Sequence, residues 1–336
     1  MKPRHHPLGR SRAQVTELAF GAAGIGNLFT PVTDEQAEQA VTAAWESGVR
    51  YFDTAPHYGL GLSERRLGAA LRAFPRDQYT ISTKVGRLLE PAPSGDGDDL
   101  ADDLTDGFAV PATHHRVWDF SARGVRRSIE DSLDRLGLDR IDIAYLHDPD
   151  DHAEQALAEA YPELERLRAE GVLGAIGVGM NQAGLPARFI RETDLDAVLL
   201  AGRYSLLDQQ GLAELLPLAH RRGVGVVIGG VFNSGLLADP RPGATFDYAA
   251  APADLLTRAT DLKAVCERHG VPLRAAALKF PFGHPAVASV LVGTRSAGEA
   301  RDAAAMLDHP VPAALWAELK HRGLLPADVP TPGEAG

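Results

Sequence analysis

The stretch RYFDTAPHYGLGLSERRLG, residues 50–68, decides the fold. It starts as a buried strand, YFDTA, turns through a Gly-rich loop and continues with the apolar spacing of a helix. This is one complete βα unit. Two residues in it do not belong to a packed core. Asp53 sits inside the apolar run, and Tyr58 follows in the turn.

Working outward, the same alternation recurs along the chain. Strand runs are VTELAFG, VRYFDTA, YTISTKV, IDIAYLH, LGAIGVG, DAVLLAG, VGVVIGG and ASVLVGT. Helical segments lie between them. Asp34 is read as the cap of EQAEQAVTAAWESG, Ser63 as the opening of ERRLGAALRAF, and Ser121 and Gly137 as the ends of ARGVRRSIEDSLDRLG. A break is expected at Pro162 in EQALAEAYPELERLRAEG. QQGLAELLPLAHRRG and ADLLTRATDLKAVCERHG precede the last two strands. Eight βα units in one chain predict a closed (β/α)8 barrel, a TIM barrel. A doubly wound sheet is the alternative, but its G-x-G-x-x-G fingerprint is missing: GAAGIG has the wrong spacing and GVGMNQ lacks the last glycine. The reading is one domain with a core over about 14–310 and a flexible acidic insertion over about 88–118. A second long connection runs from Phe232 to Pro252.

Composition narrows the function classes. The chain has 336 residues and a formal net charge of -11, which argues against nucleic acid or an anionic membrane as partner. One cysteine, Cys266, excludes an internal disulfide framework and fits the cytoplasm. No apolar run approaches the ~20 residues of a membrane-spanning helix. The N-terminus MKPRHHP lacks the apolar stretch of a secretory signal. Both it and the end PTPGEAG read as loose. The histidines show no H-E-x-x-H spacing, and the adjacent pairs His5–His6 and His114–His115 suit no shared metal, so no metal is expected.

In a barrel of this kind, polar residues at the C-terminal strand ends face the active site. Asp53, Lys84 and His147 end the second, third and fourth strand runs, and Tyr58 follows the second. The set has a chemical use. A free phenol has a pKa near 10 and is a poor base at neutral pH. A lysine ammonium beside it lowers that value, a carboxylate aims the lysine, and a histidine holds the substrate oxygen. Such a group moves a proton at a carbonyl or carbinol oxygen, which suits hydride exchange with a nicotinamide.

These residues resemble the aldo-keto reductase family, from VTELAFG to GEARD. The resemblance is carried by Asp53 in FDTA, Tyr58 in HYG, Lys84 in STK, His147 in LH, and the segment SLDRLGLDRIDIAYLHDPD. It implies the barrel fold, an NAD(P) cofactor bound without a Rossmann unit, and Asp53, Tyr58, Lys84 and His147 as the catalytic set. Within the family the chain is similar to the D-threo-aldose 1-dehydrogenase group, alongside L-fucose, L-galactose and pyridoxal dehydrogenases. FDTAPHYGLGLSERRLG, STKVGRLL, VWDFSARGVRRSIEDSL, AGRYSLLDQ and VFNSGLLA carry that likeness. It implies oxidation of a ring hemiacetal carbon to a lactone, with His57, Trp118, Phe120 and His147 against the substrate.

For the cofactor, the resemblance implies Gly21, Ala22 and Asp53 at the first two strand ends, with Asn181 on the nicotinamide amide behind Met180. Gly229 stands where an aromatic often stacks on the nicotinamide, and Phe232 is the substitute. Phe232, Asn233, Ser234, Gly235 and Leu236 form the expected pyrophosphate strap. Gly293, Thr294, Arg295, Glu299 and Asp302 fall in the region that reads the adenosine ribose. Glu299 repels a 2′-phosphate and Arg295 attracts one; NAD is favoured over NADP. Expected substrates are a small sugar or carbonyl compound. The alternatives are an NADPH-dependent carbonyl reductase, a pyridoxal 4-dehydrogenase, and a nucleotide-binding redox sensor. Oligomeric state is not legible.

Overall fold

The computed structural model describes residues 5–92 and 102–334. Eight parallel strands close into a barrel: β1 (Leu18–Gly21), β2 (Tyr51–Asp53), β3 (Thr80–Val85), β4 (Ile143–His147), β5 (Ala175–Met180), β6 (Ala197–Ala201), β7 (Gly225–Gly229) and β8 (Val287–Gly293). Strand β8 pairs with β1, Val290 opposite Leu18, and closes the ring. The period of two along each strand divides the apolar residues between two cores. Phe52, Ile81, Ala144, Leu146, Ile176 and Val178 pack outward against the helices. Tyr51, Ile143, Tyr145, Ala175, Ala197 and Leu199 fill the barrel interior. The floor is plugged by Leu8, Ala13 and Val15 from a hairpin of His5–Pro7 with Gln14–Thr16.

The helices follow from local chemistry, with instructive departures. Helix α1 (Asp34–Glu46) is capped by Thr33, not Asp34: Thr33 accepts from the Gln36 N–H, and Gln36 reaches back to the Thr33 N–H. Helix α2 (Leu62–Leu71) starts after Gly61, one residue before Ser63. Ser63 is buried instead and donates to the Ala22 carbonyl at 2.8 Å. Helix α3 (Ala122–Leu136) has the expected ends, Ser121 accepting from the Gly124 N–H and Gly137 in the left-handed region at φ 62°. Its buried residues Val125, Ser128, Ile129, Ser132 and Leu136 recur at three- and four-residue spacing. Near Pro162 the chain forms a π-helical turn, Ala156–Ala160, running into helix α4 (Tyr161–Ala169). The imide cannot donate to the turn before it. The segment before β7 breaks at Glu214, and an unforeseen helix, Leu273–Lys279, precedes β8.

The described flanks of the 88–118 insertion are not an irregular loop. Arg87–Pro91 and His114–Trp118 form an antiparallel ladder, with Arg87 opposite Trp118. It carries a small core of its own, Leu60, Leu89, Phe108 and Val110, with Tyr58 packed on it. Phe29 N–H donates to the Gly107 carbonyl at 2.7 Å and ties the insertion to the loop after β1. The acidic centre of the insertion, residues 93–101, lies outside the described residues, as do residues 1–4 and 335–336 of the two segments read as loose ends.

Candidate active site

Strand parity brings the site together. Tyr51, Ser82 and Tyr145 point into the barrel, so the residues two further on, Asp53, Lys84 and His147, do the same one layer higher. Lys84 Nζ donates to Asp53 Oδ2 at 2.6 Å and to the Thr54 carbonyl at 2.9 Å. Ser82 Oγ donates to Asp53 Oδ1 at 2.7 Å. Below them, the Tyr51 hydroxyl lies 3.1 Å from both Ser82 Oγ and the Tyr145 hydroxyl. Asp53 and Lys84 are buried, at 1 % and 2 % exposure, so each charge depends on the other.

Tyr58 lies over this pair. Lys84 Nζ is 4.7 Å from the centre of its ring. The His147 ring stands edge-on to Tyr58 at 5.9 Å, and His57 is 5.9 Å from Tyr58 and 5.7 Å from His147. Residues from three strand ends and one turn therefore share one mouth. Burial raises the Tyr58 pKa, and the Lys84 charge and hydrogen bond oppose that without reversing it. This corrects the expectation that lysine proximity leaves the phenol below its ordinary value: desolvation wins. Burial also opposes the charge on Lys84, but Asp53 and Tyr58 together hold the amine above its ordinary value. Burial, then Arg87 and Lys84, keep His147 well below the usual imidazole range. Burial, Arg87 and Arg116 push His57 down to about 2.

The expected substrate residues divide. Trp118 is 43 % exposed, with the Arg87 guanidinium 4.4 Å over its ring. Phe120 is fully buried, packed against both Trp118 and His152 and closed over Gly86, so it supports Trp118 rather than facing a substrate. Three residues that sequence reasoning missed complete the wall. Arg87 donates to Asp148 Oδ2 at 2.5 Å, and that oxygen lies 3.6 Å from His147 Nε2. Arg116 holds His57. Arg87 and Arg116 lie on the two hairpin strands and Asp148 directly follows β4, and no local pattern marks any of them.

Apart from Asp53, the expected cofactor residues lie at or beyond the ends of β1, β5, β7 and β8. Gly21 and Ala22 are buried where β1 ends, and the Ala22 N–H is tied to the Asp53 carbonyl at 2.9 Å. Asn181 is exposed just past β5, and Phe232 is half-buried. No side chain stands at Gly229, whose missing Cβ would only touch Ala201 and Leu199 at 3.7 Å. Asn233, Ser234 and Gly235 have positive φ values of 45°, 57° and 105°, so the strap turns through a run of left-handed backbone that can cradle an anion. A side chain at Gly235 or Gly293 would project into open space. Thr294 Oγ1 is buried without a hydrogen-bond partner among the described residues. These features fit a dinucleotide. Four side chains are engaged elsewhere, however. The Asn233 amide bonds Ser205 Oγ at 2.6 Å and the Gly202 carbonyl, so it shapes the strap. Glu299 is paired with Arg295 at 2.7 Å and is not the free carboxylate expected. Asp302 is paired with Arg274 at 2.9 Å, while Leu236 is buried. Among the described residues no metal-binding cluster forms, and no helix is long and apolar enough to cross a membrane.

The described geometry can be set beside known proteins. A sequence model of the Aldo/keto reductase family matches residues 17–322. D-threo-aldose 1-dehydrogenase of Pseudomonas sp is 46% identical, over 93% of this chain and 95% of that protein. Pyridoxal 4-dehydrogenase of Microbacterium luteolum is 42% identical, over 95% and 97%. L-galactose dehydrogenase of Arabidopsis thaliana is 32% identical, over 88% and 85%. Among solved structures, aldo-keto reductase AKR11C1 from Bacillus halodurans, in its holo form, superposes with a TM-score of 0.75 at 25% identity, covering 97% of this chain and 98% of that one.

Proposed function

This chain belongs to the aldo/keto reductase family of NAD(P)-dependent oxidoreductases, and from that premise we propose that it oxidises the C1 hemiacetal of an aldose to the lactone. The observation that carries the proposal is the meeting of Tyr58, Lys84, His147 and His57 at one polar mouth. A wall of imidazoles and an arginine–carboxylate pair suits a polyhydroxylated ring better than an apolar aldehyde. The three curated relatives above are all dehydrogenases by name, two of them of sugars.

In this reading Tyr58 accepts the proton of the anomeric hydroxyl. It must be the phenolate to do so, and Lys84, held by Asp53, stabilises that phenolate before it takes the proton and becomes the neutral phenol. His147, uncharged, orients the same oxygen without competing for the proton. Bound NAD(P) would supply the acceptor for the hydride that leaves C1. Gly21, Ala22, Asn181, Thr294 and the 232–236 strap would hold the dinucleotide; we infer NAD as the preferred form. Glu299 holds the Arg295 guanidinium, so a 2′-phosphate would have to displace that carboxylate to bind it. Glu299→Gln should release Arg295 and move the NADP-to-NAD ratio of kcat/KM upward by about tenfold. A ratio unchanged by that substitution removes the argument. A cytoplasmic location fits the single unpaired cysteine, Cys266.

Incubation with NAD or NADP and a panel of L-fucose, L-galactose, D-arabinose and pyridoxal, followed by absorbance of reduced nicotinamide, tests the proposal. Lactone formation from an aldose is expected. Oxidation of pyridoxal alone would select the second reading, which the half-exposed Trp118 ring favours as a surface for a flat aromatic substrate. Efficient reduction of simple aldehydes with no aldose oxidised would replace both with a carbonyl reductase.

A further inference from the structure

Arg116 is the most completely satisfied side chain at the mouth. Its Nε donates to His57 Nδ1 at 2.5 Å, and one Nη2 proton goes to the His57 carbonyl at 3.0 Å. The remaining three go to Asp103 at 2.9 and 2.5 Å and to Asp106 at 2.8 Å. All five guanidinium protons are engaged, on a side chain only 11% exposed. Arginine keeps its proton at any accessible pH, so the nitrogen that accepts from it must carry a lone pair. The one imidazole proton of His57 is then on Nε2. That nitrogen has no partner among the described residues, on a half-buried ring packed beside Tyr58 and His147.

We propose that Arg116 is a positioning residue which holds His57 as the Nε2–H tautomer, so that this N–H donates a hydrogen bond to a ring oxygen of the substrate next to the reacting carbon. The substrate atom assigned here rests on the aldose reading above; the tautomer does not. The arrangement explains why the insertion forms an ordered hairpin over the mouth: its second strand delivers the group that sets a neighbour of the catalytic tyrosine. It also explains how a histidine stays a donor without becoming a cation. Burial, then Arg87 and Arg116 from the two hairpin strands and Lys84 from β3, disfavour its protonation. Asp103 and Asp106 face Arg116, and the three flanking rings, Tyr58, His147 and Phe108, add no positive charge. A neutral donor binds that oxygen without pulling the proton meant for Tyr58.

Histidine side-chain proton–nitrogen correlation spectra of the full chain, assigned by the loss of one ring in His57→Gln, test this across about pH 5 to 8. Expected in the wild type is a His57 pattern with protonated Nε2 and bare Nδ1 that does not move with pH. Arg116→Gln should release the tautomer, so that Nδ1 carries a share of the His57 proton while burial and Arg87 still disfavour the cation, and should raise the KM of a turned-over substrate about threefold with kcat changed less than about twofold. His57→Gln, which keeps an N–H donor, should hold KM within about threefold of the wild type, whereas His57→Leu should raise it about tenfold. A wild-type His57 that titrates normally or carries its proton on Nδ1 overturns the inference, even if Arg116→Gln fails to fold. Equal KM values for His57→Leu and wild type also overturn it. If no aldose is oxidised but the wild-type spectrum is as expected, the substrate reading falls and the positioning role stands.

Discussion

Tyr58 carries the reaction in this reading, and its raised pKa has a consequence in pH. A phenol must be deprotonated to accept a proton, and this one loses its own only above its ordinary range. Oxidation should therefore accelerate with rising pH, with no plateau below about pH 10, and reduction should slow. A steady-state pH profile measures this; an oxidation optimum near neutrality would assign the base to another group. Tyr58→Phe should cost roughly 10²–10⁴-fold in kcat while leaving NAD affinity intact, measured by fluorescence titration. His57 and His147 give a second pH effect. Their folded values are depressed below the unfolded ~6.5, so below that pH the unfolded chain binds more protons and stability falls as pH falls. For His57, going from pH 7.5 to 5.5 contributes at most about 1.4 kcal/mol of that loss. Urea denaturation should show His57→Gln losing correspondingly less over the same interval.

At the scale of elements, helix α2 and helix α3 meet where Gly68 has no side chain. A Cβ there would lie 1.9 Å from the Leu136 carbonyl oxygen, which is backbone and cannot swing aside. Gly68→Ala gains about 1 kcal/mol of helix propensity, but the forced separation costs more, about 2–3 kcal/mol net. Chemical denaturation checks the sign; a stabilised variant would show that the two helices slide freely. This contact also positions the site, since Glu64 on α2 is buried between Arg135 on α3, at 2.5 Å, and Thr83 on β3, at 2.7 Å. Legibility at this scale was uneven. Ser121 and Gly137 were readable because capping is local. Ser63 and Asp34 have cap chemistry too, but Gly61 and Thr33 hold the boundaries, and Ser63 is drawn into a bond with Ala22, distant in sequence. The hairpin of Arg87–Pro91 with His114–Trp118 was missed because its two strands are separated by an acidic stretch that reads as loop.

Across the whole molecule, the barrel interior connects its packing to its chemistry. Tyr145, Tyr51, Ser82, Asp53 and Lys84 form one hydrogen-bonded chain from the middle of the barrel to the mouth. Ser82→Ala should lower stability by about 1–2 kcal/mol, because Asp53 loses a donor in a buried place. It should reduce kcat by a smaller factor than Lys84→Met, since the Asp53–Lys84 bond survives; equal losses would mean that Ser82 acts on the substrate more directly. Strand number, strand parity and the four residues Asp53, Tyr58, Lys84 and His147 were legible in the linear chain, because alternation with period two and polar residues at apolar strand ends are properties of neighbours in sequence. The sign of the Tyr58 shift, the pairing that masks Glu299, the burial of Phe120 and the grip of Arg116 on His57 were decided by the tertiary structure alone. Each depends on desolvation or on a partner far along the chain, and only closure of the barrel brings those groups within reach of one another.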